Sequence, residues 1–589
     1  MTRARPGHAW KVHPRVRETW RVRPRVLRRP ALLALAAGLP VVETIALIAA
    51  GQRAALGLAP QATAIPPFGV LHDLRWLFVY TWSAWSVALA LVALVVVRAA
   101  LHTALVVCAW PDDRPRPGLG EVARRSLVAT IVGVVLVWPI VTLEFAAAAT
   151  ALATVLYAGL LLMLLVAPTL TYGVAAGAWW RRWPPLRSVV WVYASFVVLS
   201  LAAGAIELAP LWLAPVVAAV AGVFDAWAWT SIVSADLSAR APCRRFPAGV
   251  FSAFVAYAVV VGSMAFAFGG GQPTSGARHA PAATPGAARG RLPVLLVAGF
   301  GSRYDGTIDV DLGPDTFVWR YSYAGFGRDG RPRPYDESST YQSLDLSVDR
   351  MAAQVARLHT LTGRPVLVVA TSEGSVVARS YVGLVRDAPV NHLLMLSPLI
   401  WPDQVYWPAA DGAGRGDGAR WAIARVGDLA SSITKFHFSV DMPFLRSLLA
   451  HADALRAGMS CPAHGVDVDA VVPAAGTAAV PSRRRVRIPV DVVSGFHGSA
   501  VDAAAIPGVV RTFLRDGRLP ANGFWNIADD AVRAAASAWR VPEMPLDLNA
   551  AWDVPGGSPS EPTCATAARG FARWRAQRAA RPGGRAAGP

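Results

Sequence analysis

Ser372 is the residue whose setting most clearly permits chemistry. It lies in RPVLVVATSEGSVVAR, residues 364–379, where four apolar residues, 366–369, run into Ala370-Thr371-Ser372-Glu373-Gly374 and a helix-compatible stretch follows. A buried strand that turns tightly into a helix leaves a serine at the tip of the turn, with the N-terminus of the next helix beneath it. Strand and helix pass close together there, so small residues are needed two before and two after the serine. Ala370 and Gly374 meet that need. A hydroxyl at such a tip is exposed for nucleophilic attack, provided a base takes its proton. The plain alternative is an ordinary strand-to-helix turn in a parallel sheet.

The rest of the chain has to position that serine, and its composition divides it in two. Of 589 residues 54% are hydrophobic and mean hydropathy is +0.39, too apolar for a soluble enzyme; the excess lies almost entirely before residue 270. Net charge is +19 and comes from arginine, Lys11 and Lys435 being the only lysines. On a membrane protein a basic balance points to anionic headgroups and to orientation; no nucleic-acid motif is present. Residues 1–29 hold nine arginines and one lysine against Glu18 alone, the pattern of a basic cytoplasmic arm. Residues 30–268 form a membrane domain of about seven spans, near 31–50, 76–97, 127–144, 149–175, 189–206, 211–233 and 250–268. Each approaches the roughly 20 residues that a bilayer core needs. Arginines then fall in alternate loops, with Arg98, Arg114, Arg116, Arg124 and Arg125 in one, Arg181, Arg182 and Arg187 in the next, and Arg240, Arg244 and Arg245 in the third. This places the N-terminus in the cytoplasm and residues from 269 onward outside. Glu43 and Asp225 fall within spans, where a carboxylate marks either function or a buried polar contact between helices.

Residues 269–291 are rich in Gly, Ala and Pro and read as a flexible linker; a second domain covers 292–550, and 551–589 is a low-complexity tail expected to be disordered apart from Cys564. The second domain alternates strands with helices. LPVLLVA, 316–323, the strand before Ser372, HLLMLSPLI and 488–493 are the strands. Leu344, Val348, Met351, Val355 and Leu358 form one helical stripe that Gly363 ends, and 506–514 is a final helix. Such alternation implies an α/β fold with a parallel sheet covered on both faces. Cys461 and Cys564, the two cysteines of the outer domain, are the candidates for a disulfide in an oxidising compartment.

Four pieces of this domain, LLVAGFGS, the long helix, VVATSEGS and VVSGFHGSAVD, resemble the α/β-hydrolase superfamily, particularly lipases and esterases. The resemblance covers about residues 292–520 and none of the membrane half. It implies an α/β-hydrolase-like, doubly wound, mostly parallel sheet with Ser372 as nucleophile and His497 as base, the histidine lying just before the final helix; His437 is a distant second. The oxyanion would be held by the backbone N–H groups of Glu373 and Phe300, the latter flanked by Gly299 and Gly301. Such donors are worth about 3–4 kcal/mol each in a transition state.

The acid departs from the family pattern. The loop at 473–481, its usual place, contains no carboxylate, while Asp467 and Asp469 fall before or within a strand. Asp403, three residues beyond Ile400, occupies the alternative position and is taken as the acid. Residues 401–465 form an insertion that would cap the site, carrying Trp401, Trp407 and the apolar Phe444, Leu445, Leu448 and Leu449. The expectation is a membrane-anchored, extracytoplasmic serine hydrolase that cleaves an ester of a lipid or lipid-like substrate through an acyl-enzyme. Its partners are that ester and membrane lipids, with no nucleic acid. No His/Cys/Asp spacing suggests a metal or cofactor. An acyltransferase with the same Ser/His site, and a non-catalytic protein using a degenerate hydrolase fold for binding, are the alternatives.

Overall fold

The computed structural model describes residues 29–51, 53–81, 83–150, 153–179, 182–238, 278–279, 288–308, 310–398, 442–473, 486–493, 506–517 and 563–581, with 421, 424–425, 428, 431–432, 531, 534–536 and 538–539. Seven α-helices come first: α1 Pro30–Ala49, α2 Phe68–Tyr80, α3 Ala84–Ala109, α4 Leu119–Thr150, α5 Ala153–Ala176, α6 Leu186–Leu208 and α7 Ala214–Ser238. All but α2 are long and apolar enough to cross a membrane, α7 together with the turn Leu211–Leu213 before it. Their outer faces carry large apolar side chains such as Val42, Trp85, Leu89, Val135, Leu201 and Val220. Water would disfavour such a surface and hydrocarbon would not, so this half is a multi-pass membrane domain.

Two sequence expectations are corrected here. The second span is Ala84–Ala109 rather than 76–97, because Trp76 belongs to the separate helix α2, which ends at Tyr80. Arg98 is accordingly not a loop charge, being 3% exposed within α3, and Arg124 and Arg125 lie within α4 and Arg187 within α6 rather than in loops. The uncertain run after residue 127 divides into α4 and α5, and the span expected at 250–268 lies outside the described residues.

Between α1 and α3 the chain turns back into the bundle. It passes through a 3-10 segment, Arg53–Gln61, to Thr63, whose Oγ1 donates to Ala36 O (3.3 Å), and α2 then leads back to the start of α3. Irregular backbone at that depth needs protein partners, and the flanking helices supply them. Asp225 accepts from Thr63 Oγ1 and Ser195 Oγ (3.0 Å each), and Trp229 Nε1 donates to Thr63 O (3.0 Å). Arg98 donates through Nε to Asp73 (2.7 Å) and through Nη1 to Ala62 O (2.8 Å). His72 sits between Asp73 and Glu43, 2.9 Å from each. Glu43 and Asp225 thus hold the re-entrant segment, which is the polar-contact reading of both.

The second half contains strands β1 Leu292–Val297, β2 Thr316–Arg320, β3 Val366–Thr371, β4 Val390–Leu396, β5 Asp467–Pro473 and β6 Val490–Val493. They form one all-parallel sheet in the order β2-β1-β3-β4-β5-β6. The strands read as continuous apolar runs because helices cover both faces. On one face Val348, Met351 and Val355 of α8 (Leu344–Thr362) and Val376 and Val377 of α9 (Glu373–Leu384) pack with Leu295 and Val368. On the other, Val510 and Phe513 of a later helix meet Val294, Val369 and Leu394. Gly363 ends α8 in the left-handed conformation (φ 69°), as its sequence position implies.

Three further helices, α10 Pro443–Ala450, α11 Ala452–Gly458 and α12 Ile506–Asp516, precede the last, α13 Cys564–Ala580. The tail was expected to be disordered, yet Ala567, Phe571 and Trp574 of α13 are buried and Cys564 is disulfide-bonded to Cys461. Alanine and arginine are strong helix formers, and the disulfide together with a buried aromatic stripe gives this helix a place to dock. Arg379 of α9 donates to Cys461 O (3.2 Å) and lies 5.3 Å from the Phe571 ring centre, so the helix behind Ser372 is braced on that corner.

Candidate active site

The sheet order fixes where a site can lie. The chain moves from β1 out to β2 and then crosses back to β3 on the other side of β1, so the switch point falls between the C-terminal ends of β1 and β3. Loops diverge there and leave a crevice. Ser372 follows β3 and Gly299 follows β1, one on each side of it. A Cβ added at Gly299 would lie 2.9 Å from Ser372 Cβ and 3.5 Å from its Oγ. The loop after β1 can therefore approach the serine only because residue 299 has no side chain.

Ser372 has φ 52° and ψ −119°. A non-glycine residue in such a region costs on the order of 1–3 kcal/mol and persists only when its surroundings impose it. Here Ser372 N–H donates to Leu396 O (3.0 Å), Ser375 N–H to Ser372 O (3.0 Å) and Ser375 Oγ–H to Ala370 O (2.8 Å). At Gly374 an added Cβ would lie 2.8 Å from both Ala298 O and Val297 O, so helix α9 starts directly against the end of β1. The small residues expected around the serine are there for this approach; Ala370 is fully buried.

The loop after β1 is tied down from below. Gly301 N–H donates to Thr340 Oγ1 (3.0 Å), Ser302 N–H to Gly299 O (3.3 Å), and Tyr323 O–H to Ala298 O (2.9 Å). The Phe300 ring stacks on Tyr341 at 5.0 Å and lies 6.1 Å from Phe444 of α10, so the described end of the expected cap insertion does reach this loop. Thr340 and Tyr323 were not anticipated from sequence. The alternation Tyr321-Ser322-Tyr323 directly after β2 was the available signal, since it directs both tyrosines to one face at that edge.

Glu373, expected to contribute only its backbone, has a side chain of another kind. It is 1% exposed, and neither carboxylate oxygen has a hydrogen-bond partner among the described residues. Burial pushes its carboxyl well above the usual carboxylate range. Next door, Ser397 follows β4 with φ 46° and a buried Oγ that also has no described partner.

His497 and Asp403 lie outside the described residues, as do His437, Trp401 and Trp407. Asp469 is described and sits away from the serine. Val369 pairs with Leu394 and Leu394 with Asp469, which puts Asp469 two strands across and three residues short of Ser372 along the strand direction. At about 4.8 Å per strand and 3.3 Å per residue that is on the order of 10 Å in each direction. Burial and neighbouring Asp467 raise the Asp469 carboxyl. Asp467 itself lies further from the edge, facing His392 Nδ1 at 3.6 Å. No protein-family model, curated protein or solved structure matches this chain.

Proposed function

We propose that this protein is a membrane-anchored serine hydrolase acting on an ester of a lipid or lipid-like molecule. The observation that carries the reading is the strained Ser372 at the switch point of a parallel sheet, with the Gly299 backbone against its side chain. In this mechanism Ser372 Oγ attacks the ester carbonyl as His497 takes its proton. The backbone N–H groups of Glu373 and Phe300 receive the oxyanion, and His497 returns the proton to the departing alcohol. Water then releases the acyl group; an alcohol in its place would make the protein an acyltransferase. Asp403 is the acid assigned to orient His497.

The serine-bearing half is assigned to the extracytoplasmic side. Arg114 and Arg116 between α3 and α4, Arg124 and Arg125 early in α4, Arg182 before α6 and Arg187 at its start put those helix ends in the cytoplasm. Six spans return the chain to the side on which it began, so this assignment needs the seventh at 250–268. The Cys461–Cys564 disulfide fits an oxidising compartment.

A fluorophosphonate probe should label the protein in membranes, and Ser372→Ala should remove both labelling and p-nitrophenyl ester turnover without lowering the amount of protein in the membrane. Full labelling of Ser372→Ala would sink the assignment. A parent protein that never labels would favour the non-catalytic alternative. An alkaline-phosphatase fusion at Pro589 should be active, and an inactive one reverses the orientation.

A further inference from the structure

The chain between α12 and α13 does not stay with the α/β half. Residues 534–536 and 538–539 lie inside the membrane half, with Ala534, Ala536, Ala538 and Trp539 buried. The Trp539 ring stacks on Phe196 of α6 (4.8 Å, 20°), lies 5.2 Å from Phe68 of α2, and donates through Nε1 to Ser200 Oγ (2.6 Å). Arg75, on α2 and 1% exposed, donates to Ala538 O (3.1 Å) and to Trp539 O. A Cβ at Gly204 would lie 3.1 Å from the Ala534 and Ala535 backbone, so α6 is notched where the segment passes.

The insertion is deep. Phe196 is 12 residues from Leu208, where α6 ends, or about 18 Å at 1.5 Å per residue. A bilayer core is about 30 Å thick. Residues 534–536 are helical and 538–539 form a turn. Backbone groups that a turn frees inside a membrane need protein to cover them, and the Arg75 guanidinium does so for two successive carbonyls. The segment is also no loose tail. Before it, Val510 and Phe513 of α12 are in the core of the sheet; after it, α13 begins at Cys564, which is bonded to Cys461. A loop fastened to the α/β half at both ends dips into the membrane half.

We propose that this loop is a latch that fixes the height and orientation of the serine-bearing domain over the bilayer, and so selects esters lodged in the membrane over short esters dissolved in water. The inference rests on the hydrolase reading and names its substrate class. A domain held only by a flexible linker samples many orientations, whereas a fixed one meets membrane-borne substrate at a high effective concentration. A water-soluble ester reaches the site from any direction and gains nothing from the latch. The Phe300, Tyr341 and Phe444 rings beside the serine loop offer an apolar surface for a long acyl chain.

The test uses the full chain in proteoliposomes. Gly204→Leu drives a side chain into the loop backbone, and Arg75→Gln removes the charged clamp; both leave the serine site untouched. For each, turnover of a long-chain fluorogenic ester carried in phosphatidylcholine vesicles is compared with turnover of p-nitrophenyl acetate. The ratio should fall at least tenfold, with p-nitrophenyl acetate turnover within about twofold of the parent. Because a variant can fail by misfolding, docking is read separately. Gly204→Cys with Ala535→Cys, in a background of Cys108→Ser and Cys243→Ser, should form a disulfide on mild oxidation in membranes. Absence of that cross-link overturns the latch. A cross-link with an unchanged ester ratio in Gly204→Leu overturns the substrate selection. A parent that hydrolyses neither ester while the cross-link forms removes the hydrolase reading, and the substrate class with it.

Discussion

Two clusters of buried polar groups, one in each half, are built on opposite terms. Around α2, each charge is met by its complement: Arg98 by Asp73 and Ala62 O, His72 by Glu43 and Asp73, and Asp225 by two hydroxyls. At the end of β3, the Glu373 carboxyl and Ser397 hydroxyl are buried without described partners, and the serine between them is strained. The first arrangement lowers the energy of one backbone path through a bilayer. The second holds the backbone where it would not otherwise go, which stability alone does not require. The two clusters thus differ in whether their buried polar groups are paired with one another or left without described partners beside a strained turn.

The largest effect should come from breaking the first cluster. Arg98→Met leaves the part-buried Asp73 with only His72 beside it, and losing one partner of a fully buried pair costs about 3–5 kcal/mol, an upper bound here. The expected result is loss of monodisperse protein after detergent extraction, with recovery in the double variant Arg98→Met/Asp73→Leu. A single variant as stable as the parent would mean that the pair does not pin α2. Next is the Cys461–Cys564 bond, which closes a separation of 103 residues. Chain-entropy arguments give about 2–5 kcal/mol for such a bridge. Cys564→Ser should move the denaturant midpoint of the α/β half, but not that of the membrane half, by a corresponding amount.

Glu373→Gln sharpens the contrast from the other side. Burial raises the Glu373 carboxyl, so above the pKa of an unfolded glutamate, about 4.3, the native state holds a proton that the unfolded state has released. Stability must then fall as pH rises through that window, by up to about 1.4 kcal/mol per pH unit. The glutamine variant has no proton to lose and should be flatter between pH 5 and 8, becoming more stable than the parent at the upper end. Parallel pH profiles for the two proteins would show that the carboxyl finds a partner at neutral pH.

Much of this was legible in the sequence where one residue type has one physical use. Apolar runs of span length gave the membrane helices, unbroken Val/Leu runs gave a parallel sheet, and small residues around Ser372 marked the close approach of β3, α9 and β1. What the sequence could not convey depended on contacts between distant residues. Trp76 and Arg98 looked like parts of a span and a loop because the apolar run from Trp76 to Val97 reads as continuous, whereas in the structure α2 ends at Tyr80 and Ser83 caps a new helix that carries Arg98. The buried Glu373 looked like a polar residue in a helix's first turn. The Arg- and Ala-rich tail looked disordered because its helix gains a docking face only through Cys461, some hundred residues earlier. His497 and Asp403, assigned from motif order, fall outside the described residues, so the serine side of the site carries the argument.

The smallest expected effect concerns how α13 is held. Asp345, at the start of α8, accepts from Trp574 Nε1 (2.8 Å), Arg581 (2.7 Å) and Arg578 (3.2 Å), with His451 Nε2 at 3.7 Å. Burial by itself would raise this carboxyl, but hydrogen bonds from His451, Trp574 and Arg581 hold it well below its ordinary range. Its contribution is therefore complete above the unfolded pKa of about 3.9 and is lost as pH falls below that value. Charged hydrogen bonds contribute about 1.5–3 kcal/mol when buried. Arg581 is more than half exposed, however, which screens its share, and an asparagine oxygen would still accept from Trp574. Asp345→Asn should thus cost only about 1–2 kcal/mol near neutral pH. While the disulfide is intact, α13 remains tethered and can re-dock. In Cys564→Ser protein the same substitution removes one of the remaining fastenings, so the two changes should cost more together than the sum of their separate effects. Denaturant midpoints of the four proteins give the coupling directly. Strict additivity would mean that the Asp345 cluster and the disulfide hold the helix independently.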